Sequence, residues 1–214
     1  MKNSTTHSAL SHAEKRRPSH ALSLLPAIAI TFGVTAVAAQ EAREVNPRHM
    51  ALGVQLDLFP TVVSAVDGNL GYAPQLWLGI DHVRLRLISA HLKPPDAMAA
   101  APDGFTAPTI QVFAVVFDYT FGDHFDQWWV GSGFEQWTNT IEHDSSVDQA
   151  AWNSTIFTLG GGYIWRIVGD FYVDFWAGLH LTLNPQTVSL AGDSYEPMPV
   201  TASGGMKVGY FLDI

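Results

Sequence analysis

The chain has 214 residues, 47% of them hydrophobic, which is enough for one domain with a sizeable core and short for two. Its formal charge is −9 at pH 7. Four of the eleven basic residues (Lys2, Lys15, Arg16, Arg17) lie at the start and the rest (Arg43, Arg48, Arg84, Arg86, Lys93, Arg166, Lys207) are scattered, which excludes the basic footprint of a nucleic-acid binder. With no cysteine, a disulfide framework and a thiolate metal site are excluded too.

The first element is a secretory signal pattern. A polar lead ending in Lys15-Arg16-Arg17 precedes an apolar run over 21–37 and the small-residue sequence Ala36-Val37-Ala38-Ala39. A membrane anchor helix needs about 20 apolar residues; this run is shorter and is broken by Pro26 and Gly33. Pro18-Ser19-His20 after the paired arginines fits the twin-arginine route poorly. The expectation is a signal peptide over 1–39, cleaved after Ala38 or Ala39, then a short periplasmic lead over 40–49 and one domain over 50–214.

From residue 50 onward the pattern repeats with period two, the mark of strands. Leu52, Val54, Leu56 and Leu58 oppose Ala51, Gly53, Gln55 and Asp57, and Phe59-Pro60 ends the segment. In 72–80, Leu76, Leu78 and Ile80 oppose Gln75, Trp77 and Gly79; after Asp81-His82, Val83, Leu85 and Leu87 oppose Arg84 and Arg86. The segment 110–121 is apolar on both faces, with Phe113, Phe117 and Tyr119 assigned outward. The fifth sets Trp128, Val130 and Phe134 against Gly131, Gly133 and Glu135, and the sixth sets Phe157, Leu159, Tyr163 and Trp165 against Thr158, Gly160 and Gly162. In the seventh, Phe171 through Leu181 alternate with Tyr172, Asp174, Trp176, Gly178, His180 and Thr182. The eighth sets Met206, Val208, Tyr210 and Leu212 against Gly205, Lys207 and Gly209.

Short links (81–82, 122–126, 166–170) alternate with long ones (60–69, 92–108, 138–151, 184–199), the habit of outer-membrane barrels. Which face is apolar decides between a soluble barrel and a membrane one. A soluble barrel turns its apolar face inward. Here the charges share a face with the glycines, and each would cost about 2–4 kcal/mol if it faced lipid near the midplane. The polar face therefore points into a lumen that eight strands leave just wide enough for side chains. Tyr119, Trp128, Tyr163, Trp165, Phe171 and Tyr210 fall near the short-turn ends, where an interfacial girdle belongs. The expected fold is all-β: an eight-stranded antiparallel up-and-down transmembrane β-barrel behind a cleavable signal peptide.

On these segments the region 50–214 resembles the small eight-stranded outer-membrane barrels, the OmpA-like, OmpX-like and OmpW-like superfamily of Gram-negative bacteria. The resemblance rests on pattern. It departs from the family's terminal aromatic residue, since Ile214 is last and Tyr210 and Phe211 lie upstream. It implies location in the outer membrane, with lipid and lipopolysaccharide around the barrel, and the barrel-insertion machinery as a partner during assembly. Some related barrels cleave or transfer acyl chains of lipid A.

Three constellations carry chemistry. The first is the set of inward charges Asp57, Arg84, Arg86, Glu135, Asp174 and Lys207, with Asp118 beside them. Buried charges are tolerated when paired, so a polar plug is favoured over an ion path; a hairpin pairing Leu181 near Thr201 brings Asp174 opposite the neighbourhood of Lys207, and Asp118 falls diagonal to Arg84. The second is a rim of Ser89, His91, Glu142-His143-Asp144-Ser145-Ser146, His180 and Thr182. A nucleophile needs a base in reach and a group to orient it; the spacing matches no catalytic motif, and His180 is the one weak catalytic candidate. The third, Asp81, His82, Asp123, His124 and Asp126, lies at short turns, where turn-forming acids need no ligand role. Gly160-Gly161-Gly162 lies inside a strand, so it signals close packing and not a phosphate loop.

No metal or cofactor is expected. The favoured function is a non-enzymatic structural or surface-interacting barrel with a plugged lumen, its long loops offering a surface to an extracellular partner. The alternatives are an acyl hydrolase or acyltransferase of lipid A or phospholipid, and a narrow, porin-like channel for small or hydrophobic solutes.

Overall fold

The period-two pattern at the start of the domain becomes strand β1 (Met50–Asp57), whose Ala51, Gly53, Gln55 and Asp57 are buried while Leu52, Val54 and Leu56 are exposed. A computed structural model describes residues 49–99, 104–122, 124–145 and 148–214. The signal segment at 1–39, the lead up to residue 48, Asp123 and Ser146 lie outside the described residues.

The barrel continues with β2 (Ala73–Ile80), β3 (Val83–Leu92), β4 (Thr109–Thr120), β5 (Gln127–Glu142), β6 (Gln149–Val168) and β7 (Phe171–Thr182). A small separate hairpin, β8 (Val188–Leu190) and β9 (Asp193–Tyr195), precedes the last barrel strand, β10 (Val200–Asp213). Neighbours run β1-β10-β7-β6-β5-β4-β3-β2 and close on β1, so the chain forms an antiparallel barrel of eight strands without a free edge.

The faces sort as the alternation requires. Outward Phe113, Phe117, Phe134, Leu159, Phe175 and Leu179 are exposed, while inward Gln55, Asp57, Gln75, Arg84, Arg86, Asp118, Asp174 and Lys207 are buried. That distribution inverts a soluble barrel. Inward glycines make room for large rings: a Cβ on Gly53 would collide with the Trp77 indole, and one on Gly209 would collide with the Tyr172 phenol.

Three regions differ from the sequence expectation. The link after β1 is not simply a loop: α1 (Phe59–Ala65) starts where Asp57 Oδ1 accepts the Phe59 N–H at 2.9 Å, with Pro60 in its first turn, and turns Pro60, Val63 and Ser64 inward. A brief α2 (Asp96–Ala99) lies in the β3–β4 connection. The stretch 138–151, expected as a long loop, is mostly strand. β5 has 16 residues and β6 has 20, both beyond the roughly 9–11 that a membrane crossing requires. β4 accompanies β5 as far as Thr140, while the part of β6 before Ile156 runs past the β7 ladder, so that the far ends of the two strands form a β5–β6 arm. On it the β8–β9 hairpin builds an accessory core from Phe105, Ile141, Trp152, Val188, Leu190 and Tyr195, a tertiary contact that local periodicity does not reveal. Among the described residues no helix is long and apolar enough to cross a membrane.

Candidate functional site

The barrel interior is packed toward the short turns and open toward the long connections. At the short-turn end Ala51, Trp77, Phe125, Trp129, Ile164, Tyr172 and Phe211 form one buried cluster. Phe125 comes from the β4–β5 turn, where a positive φ of 54° folds its ring back inside to 2% exposure and 5.4 Å from Trp77. The interior is therefore less polar than the face pattern suggested, because large aromatics share it with the charges.

Interleaved with these rings, and reaching farther along β7 and β10, stand the charges. Arg84 and Asp118 are register partners on β3 and β4, with Nε donating to Oδ2 at 2.9 Å; the expected diagonal is in fact a direct pairing. Arg86 Nη2 donates to the other oxygen, Oδ1, at 2.9 Å. Lys207 and Asp174 are register partners on β10 and β7, 3.3 Å apart, and Trp129 Nε1 donates to Asp174 Oδ1 at 2.8 Å. A hydrogen-bonded chain extends the set: Trp77 donates to the Tyr172 hydroxyl, which donates to Gln55, whose amide donates to Gln75 Oε1, which also accepts from Arg86. The cations lie against rings as well, Arg86 over Trp129 at 4.9 Å and Lys207 over Trp176 at 4.7 Å.

Two of the six inward charges do not share this arrangement as expected. Asp57 is opposite Lys207 in register, yet its hydrogen bond goes to the start of α1. Glu135 stands apart. Trp137 Nε1 donates to its Oε2 at 2.6 Å, and its Oε1 lies 3.3 Å from His180 Nδ1. The reason is strand length: β5 runs on past the charges, so Glu135 belongs to the open end.

Above the charges, toward the long connections, is a cavity of about 450 Å³. Its walls are largely apolar, among them Phe59, Ile88, Val112, Ile156 and Trp176, and its polar groups include Glu135, His180, Thr201 and Ser203. His180 Nε2 and Ser203 Oγ are 2.6 Å apart. The strand register explains the meeting: His180 pairs with Thr201 on β10, so Ser203, two residues along, has its side chain on the same inward face. On the other side Thr158 of β6 pairs with both His180 and Gly133, which brings Glu135 of β5 into reach across β6. Ser203 was missed in the sequence because it belongs to a stretch of small residues. Its distance in sequence from His180 spans the whole β8–β9 excursion, and only the register joins them.

The remaining candidates lie elsewhere. His91 stacks on Tyr72 at 5.6 Å. His143 holds Ser145 Oγ at 2.8 Å and Asp193 Oδ2 at 3.2 Å, tying the β5–β6 arm to the β8–β9 hairpin outside the cavity. At the short turns, Asp81 accepts the His49 N–H and His82 meets the Thr120 carbonyl. Among the described residues no three His, Asp or Glu side chains are arranged to hold a metal. Tyr119, Trp128, Tyr163, Trp165, Phe171 and Tyr210 are all outward and at least 36% exposed.

No family model matches the chain, and no curated protein matches it. Among solved structures it is similar to the N-terminal β-barrel domain of Pseudomonas aeruginosa OprF, at 13% identity and a TM-score of 0.47, over 77% of this chain and 97% of that one. It is similar to Neisserial surface protein A at 12% identity and 0.40, over 78% and 95%. A major outer membrane protein from Thermus thermophilus aligns at 8% identity and 0.47, over 78% and 100%. The fold assignment itself rests on the closed strand order.

Proposed function

We propose that this chain is an outer-membrane barrel whose lumen is closed in its short-turn half and whose outward half is a cup for a small, mostly apolar ligand. The observation that carries the reading is the contrast between the two halves of one interior: paired Arg84, Arg86, Asp118, Asp174 and Lys207 packed among Trp77 and Trp129 below, and an apolar cavity above. The largely apolar exterior, with large hydrophobic side chains exposed on every barrel strand, supports residence in a bilayer, since the same residues facing water would leave a very large exposed apolar surface. The outward aromatics near the short turns then serve as the interfacial girdle, with lipid and lipopolysaccharide around the barrel.

A channel is the weaker reading. Opening a continuous path would require separating buried ion pairs, each expensive once one partner is lost. The barrel refolded into planar bilayers is expected to give no steady conductance, while Arg86→Ala with Asp118→Ala, removing a pair from the closed half, is expected to raise it. A steady conductance in the unaltered protein would overturn the closed lumen. Recovery as a soluble periplasmic monomer would overturn the membrane assignment.

A further inference from the structure

The geometry points to a hydrolytic centre in the cup: we propose that Ser203, His180 and Glu135 form a nucleophile, base and carboxylate set that cleaves a carboxylic ester with an apolar acyl chain. This rests on the reading of the upper cavity as a ligand cup.

The three groups stand in the order that acyl transfer needs. Ser203 Oγ is 2.6 Å from His180 Nε2, so the hydroxyl can pass its proton to the ring. On the far side of the ring Nδ1 has Glu135 Oε1 at 3.3 Å, off the direction of a good hydrogen bond, and has no other hydrogen-bond partner among the described residues. Such contacts are often loose in an unliganded enzyme and tighten with substrate. Glu135 is itself held. Trp137 donates to its second oxygen at 2.6 Å and packs its ring 5.7 Å from that of His180, fixing base and carboxylate together. Both side chains are about nine-tenths buried, yet they and Ser203 line the same cavity.

A purely structural role explains this set less well. A hydroxyl and a carboxylate also flank the ring of His143, where they tie surface elements together; the set at His180 differs in that all three groups, drawn from β5, β7 and β10, open onto one cavity. The cavity selects the substrate class. Its walls bury an apolar chain, and its volume of about 450 Å³ falls within the ~300–1,000 Å³ of small-molecule sites. Thr201, the register partner of His180, brings a further hydroxyl to the same cavity, where it can donate to the oxygen that becomes charged.

The reaction balances with water alone. Ser203 Oγ bonds to the ester carbonyl carbon as its proton moves to His180 Nε2; the carbonyl–alkoxy bond then breaks, and His180 returns the proton to the departing alcohol. Water attacks the acyl-serine, giving a proton to His180. The carboxylic acid leaves, and the proton returns to Ser203.

The test uses the refolded full-length barrel in detergent with p-nitrophenyl octanoate, together with binding of the unreactive octyl phenyl ether followed by fluorescence of the cavity tryptophans. Ester cleavage by the unaltered protein is expected to fall about 10²–10⁴-fold in Ser203→Ala and in His180→Ala. It should fall less in Glu135→Gln, with each variant still shifting between folded and boiled forms on a gel. A fluorophosphonate should label the unaltered protein and not Ser203→Ala. Should a variant fail to fold, labelling of Ser203 in the unaltered protein, located by peptide mass, decides in its place. Ether binding without ester cleavage overturns the hydrolytic proposal and leaves the cup. Absence of both overturns the cup as well, and cleavage that persists in Ser203→Ala overturns the assignment of the nucleophile.

Discussion

Lys207 and Asp174 face each other on β10 and β7, Nζ to Oδ2 at 3.3 Å, with 2% and 0% of their side chains exposed. Asp174 also accepts from Trp129 Nε1 and has Arg84 Nη2 at 4.0 Å, so its charge is answered from several directions. A carboxylate buried this deeply is tolerable only in that company, because desolvating an unpaired charge costs several kcal/mol.

Lys207→Met alone is therefore expected to destabilise the barrel by about 3–5 kcal/mol, by leaving the carboxylate short of a cation. Adding Asp174→Asn should recover part of the loss, Arg84 making the recovery incomplete. Urea titration of the folded band on unboiled gels gives the four stabilities of the cycle. Strict additivity would mean that the two do not interact.

The second prediction concerns space. A Cβ on Gly53 would fall within the Trp77 indole, which is itself hydrogen-bonded to Tyr172 and cannot swing away freely. Gly53→Leu should block formation of the heat-modifiable folded form, and Gly53→Leu combined with Trp77→Ala should restore it in part. If Gly53→Leu folded with unaltered stability, the packing of Trp77 across β1 would be wrong.

What the sequence disclosed and withheld follows from the range of each interaction. Leu52, Val54 and Leu56 against Gly53, Gln55 and Asp57 is a local alternation, and it read directly as a strand with one face inward. The Lys207–Asp174 pair followed from a hairpin register, one step further. Ser203 beside His180 depends on the register of β7 with β10 after a long excursion, and Glu135 reaches His180 across a third strand. Only a closed sheet defines such contacts. Phe125 was hidden for another reason: a residue at positive φ in a turn carries no periodicity to say that its ring points inside.

The third prediction is one of pH. Tyr195 is packed between Phe105 and Trp152 in the accessory core, and burial raises its hydroxyl above the ordinary value of 10.0. For an acid whose folded pKa is raised, the stabilisation is complete below the unfolded value and is lost as pH rises through the folded one. The β8–β9 hairpin should thus loosen in alkali above about pH 10, leaving the barrel intact. Absorbance of tyrosinate should include one late-titrating group that disappears in Tyr195→Phe; a titration identical in that variant would count against the burial.

The last prediction tests the bilayer by depth. Phe175 is outward and 46% exposed well along β7, whereas Trp165 is outward and 60% exposed near the short β6–β7 turn. In water the two exposures would make an arginine comparably cheap at either site. In a bilayer they separate, because a cation at the midplane costs about 2–4 kcal/mol and one at the interface about 0–1 kcal/mol. Phe175→Arg should lower stability in lipid vesicles by that larger amount, and Trp165→Arg by the smaller, apart from the loss of its interfacial ring. The comparison is made within one protein by denaturant titration in vesicles of matched thickness. Equal, small losses at both sites would mean that the apolar exterior is not in contact with lipid hydrocarbon.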